Sequence, residues 1–87
     1  GRKGYQTLML REKQFRTIIT FSTTTDAMAM ESYCNGNDIP GRLIPVPSVI
    51  SAGCGMCWSA PADRREIVER AVEDANLRCE GVYEMLM

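Results

Sequence analysis

From residue 15 to 21 the chain reads Phe-Arg-Thr-Ile-Ile-Thr-Phe, with Phe15, Thr17, Ile19 and Phe21 on one side and Arg16, Ile18 and Thr20 on the other. Period-two alternation among β-branched and aromatic residues predicts a strand, and apolar residues on both sides predict a central one. The strand pattern stops at Ser22. Thr23 followed three residues later by Asp26 forms a capping box with the shorter acid. Ala27, Met30 and Cys34 then recur at i, i+3 and i+7, and Asn35-Gly36 offers a left-handed stop, so a first helix is predicted over residues 23–35. Arg42-Leu43-Ile44-Pro45-Val46 is a short extended run. Pro45 and Pro47 lack the amide that a central ladder requires, which places this run at a sheet edge or at a strand's end.

A loop of small residues over 48–53 leads into Cys54-Gly55-Met56-Cys57-Trp58-Ser59, where an extended backbone puts Cys54, Met56 and Trp58 on one face. Ser59 ahead of Pro61 suits a helix N-cap, and Asp63 and Glu66 suit the first turns, where the dipole favours acids. Val68, Ala71, Val72 and Ala75 make an apolar stripe, so a second helix is predicted over 61–75. Val82-Tyr83-Glu84-Met85-Leu86 is the last strand, its edge or central place open. The order β-α-β-β-α-β predicts an α+β, ferredoxin-like domain over residues 15–87, a four-stranded antiparallel sheet with two helices on one face. Residues 1–14 are an N-terminal extension, either a tail or, through residues 6–10, an additional strand.

Eighty-seven residues suffice for one domain, and 45% hydrophobic with 24% charged residues is an ordinary globular composition. Histidine is absent, which excludes Ser-His-Asp triads, Cys-His pairs and histidine-bearing zinc sites. Carboxylate, lysine and cysteine chemistry remain. Arg2, Lys3, Arg11, Lys13 and Arg16 against Glu12 give +4 in the first sixteen residues; with a formal charge of −1 overall, the remainder is −5. An acidic body with six scattered aromatic residues gives no footprint for nucleic acid. No apolar run approaches membrane-spanning length, and Leu8-Met9-Leu10 is too short for a signal peptide core. Four cysteines at irregular spacing do not make a disulfide scaffold, so a reducing cytoplasm is the expected compartment. No phosphate-binding glycine loop is present, and no cofactor is expected.

The sharpest chemical feature is Cys54-Gly55-Met56-Cys57. A Cys-x-x-Cys serves redox exchange, metal binding or sulfur transfer, and spacing alone leaves these open. Cys34, on the first helix's stripe, and Cys79, before the last strand, lack such a partner, which argues against a closed four-thiolate site. Several residues separate the dithiol from Pro61, so the second helix does not cap it as thioredoxin-like chemistry would require. Cys57 within a strand equally suits a small buried hydrophobe. Cys54 sits where the loop with Ser51 and Gly53 meets the strand through Gly55, a place open to reactants and to main-chain amides. Asp26 is explained as a cap. Arg42, beside the proline-rich turn, is a candidate anion contact, while the mixed charges over residues 63–74 describe a solvated helix face.

Thr20-Phe21-Ser22-Thr23-Thr24, Asp26-Ala27, the stretch Ile39-Pro40-Gly41-Arg42-Leu43-Ile44-Pro45-Val46-Pro47 and Ser51-Ala52-Gly53-Cys54-Gly55 together resemble the selenium/sulfur carrier protein-like family over residues 16–86. The resemblance implies a sulfur or selenium carrier with Cys54 as carrier thiol, working between a donor protein and an acceptor protein. A small apolar residue is more typical of the family at position 57. A cysteine there is a candidate resolving thiol, and it keeps thiol–disulfide exchange through Cys54 and Cys57 open beside a non-catalytic structural or regulatory adaptor. A homo-oligomer is compatible with every one of these readings.

Overall fold

The computed structural model describes residues 14–87, so the expectations for the N-terminal extension lie almost wholly outside the described residues. The elements are β1 (Phe15–Thr20), α1 (Thr24–Gly36), β2 (Arg42–Pro45), β3 (Met56–Pro61), α2 (Arg65–Asp74) and β4 (Gly81–Leu86). One antiparallel sheet has the order β2-β3-β1-β4. β1 is central, as its two-sided apolar pattern predicts, and the proline-bearing β2 is an edge. The place left open for the last strand resolves as the opposite edge.

Cross-strand register fixes the faces. Trp58 lies between Leu43 and Ile19, and Ile19 is opposite Val82. Ile19, Phe21, Trp58 and Ala60 form one buried cluster with Ala27, Met30 and Cys34 of α1 and Val68 of α2, so both helices pack on the same face. This is the α+β, ferredoxin-like arrangement predicted from the element order. Alternation sends Ile18, Thr20, Cys57 and Ser59 to the other face, and these too are buried. Met30 is 0% exposed at the centre of the helix-side cluster. Met30→Ala is expected to cost about 2–4 kcal/mol through lost burial and a residual cavity, measured by urea unfolding; a loss within the scatter of surface substitutions would contradict this packing.

The helix ends depart from expectation in instructive ways. Thr23 caps α1, its Oγ1 accepting the Asp26 N–H at 3.1 Å. The helix then runs through Gly36, and the left-handed residue is Asp38, at φ 56°. Ile39 N–H reaches Cys34 O at 2.9 Å, closing the wide bond of a Schellman turn, and the Asn37 side chain donates to Tyr33 O at 2.8 Å. α2 ends in the same manner, with Asn76 at φ 53° and Leu77 N–H on Val72 O at 2.9 Å. Short polar side chains tolerate this conformation, which frees Gly36 from the task. Ser59 is not a cap. It is a buried β3 residue, because the strand continues to Pro61, whose fixed φ of −59° turns the chain into a 3-10 turn, Ala62–Arg64, before α2 starts without a side-chain cap.

Gly41 holds an unusual place between α1 and β2. Its φ is 120°, and a Cβ there would fall against the indole nitrogen of Trp58 and 2.7 Å from Ser59 O. The same indole donates to Pro40 O at 3.0 Å. Residues 40 and 41 thus lie directly on the largest buried side chain.

Candidate thiol site

Cys54 stands just before β3, at the end of the sheet where β1 finishes. Four hydrogen bonds fasten its loop. Ile50 N–H meets Pro47 O at 2.9 Å, Val46 N–H meets Gly55 O at 3.0 Å, Cys54 N–H meets Phe21 O at 3.4 Å, and Gly53 N–H meets a Glu80 carboxylate oxygen at 3.3 Å. Gly53 is pressed onto the backbone of Ser22, where a Cβ would come within 2.7 Å of the carbonyl oxygen. Gly55, at φ 78° with open space around it, turns the chain into β3. Ser51 is exposed on the same loop. Glu80 is itself held, its N–H donating to Thr20 O at 2.6 Å.

Cys54 is half-buried against the helix-side cluster, on the same side as Met56 and Trp58. Its Sγ lies 3.3 Å from Met56 O and accepts the Met56 N–H at 3.4 Å. One residue therefore offers the sulfur both a carbonyl that accepts its hydrogen bond and an amide that donates to it. No other described cysteine shares this setting. Cys57 is buried on the opposite face, and burial, with a smaller contribution from the charge of Cys54, pushes its thiol up to about 11. Burial alone does the same for Cys34. Such thiols stay protonated near neutrality.

Cys79, just before the edge strand β4, is exposed. Desolvation still raises its thiol above the ordinary value. Arg42 is not brought to Cys54. It pairs with Ser59 at the other end of β3, on the face away from the helices. Among the described residues, no three of His, Cys, Asp and Glu gather as a metal-ligating group, and no helix is long and apolar enough to cross a membrane. Sequence reasoning named Cys54, Ser51, Gly53 and Gly55, which share one loop, and did not single out Phe21, Ser22 and Glu80, which that loop contacts. The Gly53–Glu80 contact spans 27 positions, and nothing in the local pattern around Glu80 signals it.

A protein-family model described as "Putative Se/S carrier protein-like" matches residues 16–84. The chain belongs to that family. The match runs from β1 into β4 and includes both cysteines of the Cys-x-x-Cys. Neither the curated proteins nor the solved structures contain a match to the chain. Membership in the selenium/sulfur carrier protein-like family agrees with the resemblance read from the Pro-Gly-Arg-Leu-Ile-Pro segment and the Cys-Gly that follows it.

Proposed function

We propose that the protein carries sulfur or selenium on Cys54 as a persulfide or selenosulfide. The observation that supports this most is the placement of Cys54 Sγ: half-buried, at a loop end, with a main-chain amide donating to it at 3.4 Å. In the loading step the Cys54 thiolate attacks the outer sulfur of a donor protein's persulfide. A Cys54 S–S bond forms, the donor's S–S bond breaks, and the donor cysteine leaves as a thiolate; no net oxidation occurs. A donor selenosulfide transfers selenium by the same exchange. Discharge repeats the step with an acceptor protein's nucleophile. The carrier's contribution is geometric: it shelters the loaded atom beside the core while one side stays accessible.

Cys57 is a small buried side chain in this reading, and the resolving role suggested by spacing finds no support in the geometry. Its thiol is on the opposite sheet face, and its raised proton affinity makes it a poor nucleophile near neutrality. Thiol–disulfide exchange would require the two sulfurs to meet across the strand, and an adaptor would have no use for the donor amide on Cys54.

Intact-mass analysis after incubation with a cysteine desulfurase and cysteine, with a parallel selenocysteine lyase and selenocysteine arm, tests the proposal. The wild-type protein is expected to gain one chalcogen atom, Cys54→Ser none, and Cys57→Ser the same as wild type. Loading that survives Cys54→Ser overturns the assignment. Loading that is lost equally in both variants favours the exchange reading.

A further inference from the structure

At the other end of β3, on the face away from the helices, Arg16 of β1 and Arg42 of β2 flank Ser59. Arg42 and Ser59 are direct cross-strand partners. Arg16 donates through Nε to Ser59 Oγ at 3.0 Å and through Nη2 to Ser59 O at 3.3 Å. Because Ser59 Oγ accepts from Arg16, its own O–H is left to donate, and the Arg16 guanidinium keeps further N–H groups beyond those two bonds. Arg42 is exposed. Among the described residues neither arginine is in an ion pair, the two that occur both belonging to Arg65.

A cavity of about 600 Å³ adjoins this trio, with Pro40, Ile44 and Pro61 contributing apolar wall. That volume lies within the range of small-ligand sites, about 300–1,000 Å³. The ionisable side chains among its described lining are the two arginines, with no carboxylate side chain beside them. Two guanidinium groups reach this cavity from the strands on either side of β3, and an anion between them would be attracted by both.

We propose that this cavity binds the phosphate group of a small phosphate monoester. Arg16, Arg42 and the Ser59 hydroxyl supply donors from three strands, matching the several acceptor oxygens of a tetrahedral phosphate, and bidentate arginine contacts suit it well. The organic part of the ester lies against the proline and isoleucine wall. The site is separate from Cys54, which lies on the other sheet face before the opposite end of β3, so it stands or falls independently of the carrier proposal.

Chemical-shift titration of the full chain, isotopically labelled, decides the matter. The probes are inorganic phosphate, glycerol 3-phosphate and succinate, with potassium chloride at matched ionic strength. Saturable shifts at Arg16, Arg42 and Ser59 are expected with both phosphates, tighter for glycerol 3-phosphate. Arg42→Gln should weaken them about tenfold or more, the loss of a charge-assisted contact. Absence of saturable shifts, an equal response to succinate or to potassium chloride, or an Arg42→Gln titration identical to wild type would each overturn the proposal. Because Arg42 is an exposed edge residue, a native-like spectrum of the variant is expected before ligand is added.

Discussion

Gly41→Ala is expected to destabilise the domain by about 3–5 kcal/mol, a large part of the total for a chain of this size. Two costs combine. A φ of 120° is a conformation that L side chains rarely adopt, and holding alanine there costs about 1–3 kcal/mol. The new methyl group also collides with the Trp58 indole and the Ser59 carbonyl. Moving the indole breaks its 3.0 Å bond to Pro40 O and leaves a buried N–H unpaired, adding about 1–3 kcal/mol. Denaturant unfolding measures the loss directly. Gly36→Ala is the matched control, since a Cβ at residue 36 meets nothing within 4 Å and the residue lies inside α1, where alanine is the better helix former. Equal effects at the two positions would remove Gly41 from its place over the indole.

Alkaline pH is expected to weaken the fold through the two buried thiols. Cys34 and Cys57 have folded values of about 11 against an ordinary value of 9.0. Between those limits the unfolded chain has released thiol protons that the folded chain retains. Stability is therefore complete below pH 9 and falls as pH rises toward 11. Each thiol contributes on the order of 2–3 kcal/mol across that window. Urea midpoints from pH 8 to 11 should decline for the wild-type protein and decline less for a Cys34→Ala, Cys57→Ala double variant, whatever its starting stability. Parallel slopes for the two proteins would mean that neither thiol is sheltered as the packing indicates.

What the sequence disclosed followed from how local each cause is. The alternation over residues 15–21 and the stripe of Ala27, Met30 and Cys34 are properties of adjacent residues, and both faces emerged where expected. Pro45 and Pro47 announced an edge because a missing amide has the same effect in any sheet. Ser59 misled because its cap-like spacing from Pro61 competed with strand pairing to Arg42 and Ile18, and pairing won. Asn35-Gly36 misled because Asp38 and Asn76 do what a glycine would otherwise do. The surroundings of Cys54 were half legible. Its glycines and small neighbours are contiguous with it, whereas Phe21, Ser22 and Glu80 arrive only through tertiary folding. The place of the last strand stayed open for the same reason, since edge and centre are decided by strand order rather than by the composition of β4.

The two borders of the sheet are unequal. β2 has four residues, ends in Pro45 and is followed by Pro47, while β4 has six residues, no proline, and Val82, Tyr83 and Leu86 exposed along it. In polymer terms, the number of reactive ends on a unit fixes what it can build: two ends propagate a chain, and one end terminates it. Pro45 on β2 and Pro47 just after it cap one end by withholding amides that an incoming strand would need. With respect to strand addition the sheet of the described residues has one such end blocked by proline and one, β4, that no proline blocks.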